Sequence, residues 1–301
     1  MSEENVNLET TRCPLCGENQ HEKVIKACDI VCSLEYFHIV RCNLCGFKYT
    51  NPRPPFEGLA AFYGENYYSY RSPSVNLKKG PVTRGRFLDF GCGAGEYLVQ
   101  MHNQGWECFG VDIPGPGVER ARELGFVVKD AQQKRVDYKD EFFDQIRANQ
   151  VLEHLSDLQS IVAELYRCLK KEGTLEITVP NIESFDARIW NNHWRHLDLP
   201  RHLNHFSPQS LERLFEMNGF KIKTLFTYST PLFERNLHYL KGCFTSWKSL
   251  KHHYRNSLSG SLKASWQVFE KIIHYARHPH QPMEGQMIAV YAEKQSGKKR
   301  P

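Results

Sequence analysis

The 301-residue chain is poor in several features that would have assigned it quickly. Its opening stretch, MSEENVNLETTR, has neither a basic cluster nor an apolar segment, so no secretory leader is expected. No apolar run approaches the roughly 20 residues that a membrane-crossing helix needs. A cytoplasmic location is therefore the expectation. Charge of one sign is scarce as well: the formal net charge is only +5. That excess falls in one segment. Between Pro231 and Glu284 stand eight Lys and Arg against three Glu, and the remaining acids and bases balance. Such a segment could face phosphates or anionic lipid, and a solvated helical face accounts for it equally well.

Cysteine is present but not in a form that reads as a disulfide framework. Thiols stay reduced in the cytoplasm, so regular spacing among the ten points to a metal or to chemistry. Cys13, Cys16, Cys42 and Cys45 form two matching knuckles, CPLCG and CNLCG, with 25 residues between the pairs. Four thiolates at that spacing predict a closed, structural zinc site. Gly17 and Gly46 follow the pairs and let backbone amides turn toward the sulfurs. A redox role is disfavoured, because no βαβ pattern surrounds either pair.

From Arg86 an alternating rhythm of strands and helices begins. RFLDF, WECFGVD, FVVKD, FDQIRANQ and TLEITVP read as strands. EYLVQMHNQG, GVERARELG, DLQSIVAELYRCLKKEG and SPQSLERLFEMNGF read as helices, the last opened by Ser207 with Pro208 in its first turn. KIKTLFTYS and GQMIAVYAEK supply two further strands, the final one free to enter antiparallel. The fold class is α/β, Rossmann-like, with a seven-stranded and mostly parallel sheet covered on both faces. The expected organisation is a disordered tail at 1–12, a zinc ribbon at 13–50, and a linker and cofactor-lid segment at 51–80. A core at 81–230, a helical insert at 231–284, the last core strand at 285–295 and a tail at 296–301 complete it.

The turn RFLDFGCGAGEYL holds the first chemical signal. A glycine turn after a strand lets backbone amides approach a ligand without Cβ interference. Dinucleotide sites use G-x-G-x-x-G. Here Gly91, Gly93 and Gly95 give G-x-G-x-G, and Glu96 stands where the third dinucleotide glycine would be. Asp89 adds a second acid at the strand end. Two carboxylates suit a cationic guest better than a diphosphate. Asp112 closes the next strand, at the place where an acid can accept both ribose hydroxyls. Asp130 ends the third strand, within reach of an adenine amino group.

Taken in order, FLDFGCGAG, GVD, FDQIRANQVLEHLSD, LKKEGTLEITVPN and HLNHFSPQSLERLFEMNGF resemble the successive motifs of class I S-adenosylmethionine-dependent methyltransferases. The group most resembled contains the ubiquinone-biosynthesis O-methyltransferases. The resemblance implies that Asp89, Gly91, Gly93 and Gly95 surround the methionine part of S-adenosylmethionine, with Cys92 counted among the cofactor-binding residues of the turn and its thiol expected to be inert. It implies that Asp112 holds the ribose, that Ile113 and Ala131 flank the adenine beside Asp130, and that Asn149 and Gln150 close the floor below the sulfonium. LKKEG replaces the usual LKPGG, and the tract after Asp112 is an unusual IPGPG. The cysteine module resembles a leader on bacterial methyltransferases of glycan and natural-product clusters. Ribosomal-RNA guanine methyltransferases also carry an N-terminal zinc module.

A methyl transferred to a hydroxyl requires a base. His193, His196, His202 and His205 cluster in NNHWRHLDLPRHLNHF, which leaves the carboxyl edge of the sheet where ligands sit. His202 and His205 are the base candidates; the alternative is that they orient the loop. Glu153 and His154 resemble part of a divalent-ion motif, E-x-x-E-H with a later histidine, but Gln150 replaces its first carboxylate, so no catalytic metal is expected and Glu153 and His154 are expected to serve loop structure or acceptor orientation. The acceptor expected is a small molecule, a nucleotide-linked sugar or glycan intermediate. RNA gripped by the ribbon and the basic insert is the weaker alternative, as is a non-catalytic cofactor-binding protein. Peripheral membrane contact through 231–284 is a further alternative.

Overall fold

The structure is a computed structural model that describes residues 8–29, 31–63, 76–78, 80–131, 135–229 and 285–294. The expected helical insert, the 296–301 tail and part of the lid segment lie outside the described residues.

Five strands of the core run parallel: β4 (Gly85–Phe90), β5 (Trp106–Asp112), β6 (Val127–Asp130), β7 (Phe143–Asn149) and β8 (Leu169–Pro180). Two more, β10 (Phe220–Tyr228) and β11 (Met287–Lys294), complete a seven-stranded sheet of order β10-β11-β8-β7-β4-β5-β6. β11 pairs antiparallel with both its neighbours, so only this strand breaks the common direction. Helices α2 (Glu96–His102), α3 (Pro116–Glu123), α4 (Leu158–Cys168) and α6 (Pro208–Met217) alternate with the strands. Phe87, Leu88, Asp89 and Phe90 are all buried, which is why β4 shows no alternation: both its faces are covered. α4 buries Leu158, Ile161, Val162, Leu165 and Cys168, a stripe at helical spacing. The Asp157 carboxylate caps it by accepting from the Ser160 amide at 3.1 Å. In α6, Ser207 and Ser210 cap each other's backbone amides at 3.2 and 2.8 Å.

One boundary differs from the sequence expectation. LKKEG does not end the long helix. α4 stops at Cys168, and β8 begins at Leu169. Leu169 is fully buried and pairs with Phe143, while the Phe142 amide donates to the Cys168 carbonyl at 2.8 Å. Burial and sheet pairing here outweigh the helical propensity of Leu-Lys-Lys-Glu.

The N-terminal module is a sheet of its own. β1 (His21–Cys28) and β2 (Tyr36–Cys42) form an antiparallel hairpin, and β3 (Lys48–Thr50) joins β2. Its fourth strand is β9 (Asn204–His205), which comes from the core, from the loop that follows β8. Helix α5 (Phe185–Trp190) lies earlier in that loop, and the short helix α1 (Phe56–Leu59) follows the ribbon. Cys13, Leu15, Cys42, Phe47 and Tyr49 share one apolar core with Leu152, Ile161, Phe206 and Leu211. Part of the expected disordered tail is also tied down. The Glu9 and Arg53 backbones exchange hydrogen bonds at 2.8 and 3.0 Å, and their side chains pair at 2.9 Å. Among the described residues, no helix is long and apolar enough to cross a membrane.

Candidate active site

The glycine turn sits where β4 meets α2. Gly91, Gly93 and Gly95 all take positive φ, at 86°, 51° and 82°. Their reasons differ. A Cβ on Gly91 would lie 2.2 Å from a Val151 methyl, and one on Gly95 would crowd Ala121 at 3.1 Å. A Cβ on Gly93 would meet nothing within 4 Å, so this residue borders open space. The unusual IPGPG tract has a local cause. Pro116 starts α3, and a Cβ at Gly117 would come within 3.2 Å of the Gly93 carbonyl carbon. Glycine at 117 therefore lets α3 lie directly against the turn.

Asp112 is tied into the same corner. Its Oδ2 accepts from the Gly93 amide at 2.6 Å and its Oδ1 from the Ile113 amide at 2.7 Å. Burial raises its pKa and these two donors oppose the rise. Ile113 is half exposed, and the Ala131 amide donates to the Asp112 carbonyl at 2.7 Å, so the two apolar residues stand on adjacent strand ends. Asp130 is engaged elsewhere: it pairs with Arg122 at 2.7 Å on the exposed edge of the sheet. The Cys92 thiol is buried and packs beneath Gly110, within the apolar group of Leu98, Val118 and Val128. Cys92 thus lines the turn with its backbone, and its thiol is turned into the core.

Asp89 departs most from the sequence expectation. Its side chain is buried and pairs with Arg147 at 3.2 Å. Burial pushes its pKa up to about 7, and the Arg147 guanidinium resists that rise. Arg147 also lies over the Tyr97 ring at 3.7 Å and faces Glu176 at 3.8 Å. The acid at the strand end is therefore part of an internal network. At the end of β7, Gln150 takes a positive φ of 60° and its amide donates to the Thr178 carbonyl at 2.8 Å. Its side chain reaches the Met287 sulfur of β11 at 3.5 Å. Asn149, in register with Thr178, stands beside it on the same strand end.

The chain then turns directly into a buried polar cluster. Glu153 is fully buried, and among the described residues neither of its carboxylate oxygens has a hydrogen-bond partner. Burial pushes its pKa up to about 8. One ligand atom each from Glu153, His154 and His202 lies within 4.8 Å of the other two. Both histidines are oriented from behind. His154 Nδ1 donates to the Arg201 carbonyl at 3.1 Å, and His202 Nδ1 to the His196 carbonyl at 2.9 Å. A carbonyl only accepts, so in both rings Nε2 keeps its lone pair while the ring is neutral. Burial holds both below the usual histidine range, His202 well below it. His205 is separate. Its Nε2 lies 3.1 Å from Thr50 Oγ1, and burial with nearby Lys48 lowers its pKa to about 3. The two base candidates thus have different surroundings: His202 joins Glu153 and His154, and His205 faces the ribbon.

At the ribbon tip Cys13, Cys16, Cys42 and Cys45 converge, every sulfur within 4.8 Å of the others. Two of the separations are 3.6 Å, Cys13 to Cys45 and Cys16 to Cys42. Tetrahedral zinc with bonds of about 2.3 Å spaces its sulfurs about 3.8 Å apart, so the residues fit the ion. Gly17 and Gly46, at φ 78° and 74°, close the two knuckles. Cys28 and Cys32 stand outside the set; their thiols face the Leu34 and Ala61 carbonyls.

Comparison with known proteins agrees with this geometry. The profile of a family described as a methyltransferase domain matches residues 68–225, just over half of the chain. An uncharacterized protein of Methanocaldococcus jannaschii, MJ1123, is 26% identical over 160 residues, 53% of this chain and 76% of its own. The mitochondrial ubiquinone biosynthesis O-methyltransferase of Bos taurus is 24% identical over 48% of this chain, and the match spans only 44% of the bovine protein. Among solved structures, the YcgJ protein of Bacillus subtilis covers 72% of this chain and 94% of its own, at 20% identity and a TM-score of 0.48. The chain belongs to the methyltransferase-domain family, as an enzyme of S-adenosylmethionine-dependent methyl transfer.

Proposed function

We propose that the chain moves the methyl group of S-adenosylmethionine onto a hydroxyl of a small molecule, in the class of nucleotide-linked sugars and glycan intermediates. One observation carries the hydroxyl: the unpartnered Glu153 carboxylate with His154 and His202, set just past the strand end that floors the sulfonium. In the transfer, the C–S bond breaks with its electron pair going to sulfur. A new O–C bond forms, and the hydroxyl proton must leave. In this reading Asp112 and the Gly91–Gly95 turn hold the cofactor, Asn149 and Gln150 shape the floor, and the 193–205 loop is the roof that receives the acceptor. His202 Nε2, kept neutral by burial, takes the proton. His205 positions the roof, because its ring is committed to Thr50.

The same three residues suit a divalent cation. The sequence argument against a metal rested on Gln150 in place of a carboxylate, and His202 supplies a third ligand from 48 residues further on. Two neutral nitrogens and one carboxylate, each histidine held by a carbonyl behind it, form a donor set of the zinc, manganese or iron type. An ion there would polarise the acceptor oxygen and lower its pKa. At the ribbon, Cys13, Cys16, Cys42 and Cys45 hold a structural zinc.

Calorimetric titration with S-adenosylhomocysteine tests the cofactor half of the reading; absence of binding would end it. Incubating labelled S-adenosylmethionine with the low-molecular-weight fraction of a lysate, then mass spectrometry of the labelled product, tests the acceptor half. A labelled RNA or protein, with no labelled small molecule, would refute it.

A further inference from the structure

The ribbon and the roof are built on one backbone. The segment 201–204 is bonded on both flanks. On one side the Leu203 amide donates to the Glu153 carbonyl at 2.7 Å, and the Asn204 side-chain amide reaches the Leu152 and Leu155 carbonyls at 3.0 and 2.8 Å. On the other side lies Thr50 of the ribbon. Its amide donates to the Leu203 carbonyl at 2.9 Å, and its hydroxyl to the His202 carbonyl at 2.6 Å. A hydroxyl has one hydrogen to give. With that hydrogen on the His202 carbonyl, the ring of His205 must donate from Nε2 to Oγ1, which fixes its tautomer.

A second tie lies one residue earlier. Asp29, in the turn between β1 and β2, pairs with Arg201 at 3.0 Å, both side chains wholly buried. Asp29 also accepts from the amides of Val31, Cys32 and Ser33, so the ion pair is anchored to the hairpin turn. Arg201 continues to the Phe62 carbonyl at 2.9 Å and to Asp198 at 2.7 Å. The knuckle end is attached too, through Gln159, whose amide donates to the Leu15 carbonyl at 2.9 Å. The glycine turn is packed differently. Cys92, Leu98, Val118 and Val128 form an apolar group apart from the one the ribbon shares.

We propose that Thr50 and Asp29 are positioning residues of the acceptor pocket, through which the metal-held ribbon sets His202 against Glu153 and His154 while leaving the cofactor turn untouched. This rests on the reading of those three residues as the acceptor end. The reason is geometric. A shift of about 1 Å in a catalytic group can cost about a hundredfold in rate, and the backbone of His202 is bonded to the ribbon at its own carbonyl. The ribbon is then a wall of the active site and not a grip for a separate partner.

The test uses the full chain in three measurements. Amide hydrogen exchange with and without the ribbon zinc is the first. Removing zinc should speed exchange at Thr50 and Leu203 by about a hundredfold or more, while the Gly93 amide on Asp112 keeps its protection. Unchanged exchange at Leu203 would overturn the proposal, as would simultaneous loss of protection at Gly93. The second compares Thr50→Val with Thr50→Ser by ¹⁵N spectra of the histidine rings. Valine should release the Nε2–H tautomer of His205 and serine should retain it. The third follows labelled methyl transfer into the small-molecule lysate fraction, beside S-adenosylhomocysteine affinity. Thr50→Val should lose about tenfold or more in rate with affinity held within about twofold, and Thr50→Ser should recover most of it. Valine at the wild-type rate, or serine as poor as valine, would refute the role. The exchange and ring measurements need neither cofactor nor acceptor, so failure of the coupling is told apart from failure of the functional reading.

Discussion

Replacing Glu153 by glutamine should stabilise the ion-free protein, an unusual outcome for a fully buried polar position. Among the described residues Glu153 has no hydrogen-bond partner for either oxygen, and burial raises its pKa from 4.5 to about 8. At neutral pH the folded chain therefore keeps this proton while the unfolded chain releases it. Stability contributed by the group is complete below about pH 4.5 and is lost as pH rises toward 8. Each pH unit in that window costs about 1.4 kcal/mol, which amounts to about 3 kcal/mol by pH 7. Glutamine cannot ionise, and its amide can donate to a free Nε2 lone pair of the neighbouring histidines. The variant should melt about 5–10 °C higher at pH 7 than the ion-free wild type, with the gap closing toward pH 5. Excess Mn²⁺ should reverse the order, because an ion stabilises the ionised carboxylate and has no such ligand in the variant. The assay is thermal melting across this pH range at fixed zinc occupancy of the ribbon. A Glu153→Gln protein that melts below wild type at every pH, without added ion, would refute the reasoning, since it would mean that the carboxylate is ionised and held by donors of the protein.

The remaining predictions concern other parts of the molecule. Gly93→Ala should fold nearly normally, with a penalty of about 1 kcal/mol for its left-handed backbone, yet bind S-adenosylhomocysteine at least tenfold more weakly, because its Cβ enters open space; Gly91→Ala should instead lower the melting temperature through the 2.2 Å collision with Val151. Asp112→Asn should weaken cofactor binding by two orders of magnitude or so in calorimetry, as a carboxylate that accepts from two backbone amides becomes an amide with only one acceptor atom. Metal analysis of the purified chain should find zinc that Cys13→Ser removes. Asp29→Ala should cost about 1–3 kcal/mol in chemical denaturation, because it removes one of two carboxylates from a wholly buried arginine that Asp198 still holds.

The parts of this molecule that could be read from the chain are those whose causes are local. The glycine turn, Ser207 capping α6 and the two cysteine knuckles each span a few residues, and their spacing states their geometry. The β4–α2–β5–α3 succession was legible for the same reason. What escaped depends on pairing across long separations. Nothing near LKKEG says that Leu169 will leave a helix to pair with Phe143. Asp130 looks available until Arg122, eight residues earlier, swings onto it. The convergence of Glu153, His154 and His202 is set by the β9 loop returning past the ribbon, where β9 pairs with β3 through two residues. A signal did exist: a cluster of histidines after β8 and an acid-histidine pair after β7 must both lie near the same sheet edge. Only the fold could show that one histidine goes to the acid and another to the ribbon.

The preference for S-adenosylmethionine over a dinucleotide also needs a different argument from the one the sequence offered. Asp89 looked like a free negative charge, but Arg147 compensates it at 3.2 Å, and burial has raised its pKa to about 7. Its long-range field on a ligand is therefore weak. The discriminating element is the amide of Gly93. In a dinucleotide turn, backbone N–H groups point at the pyrophosphate. Here that amide is spent on Asp112, at 2.6 Å, and the Ile113 amide, just past the end of β5, closes on the same carboxylate. A diphosphate at this corner would face a carboxylate in a poorly hydrated site and would find its donors taken. A ribose at this corner would instead donate its hydroxyls to the remaining lone pairs of that carboxylate. In the proposed reading the selectivity comes from where the backbone hydrogens are directed, and the acid of β5 directs them.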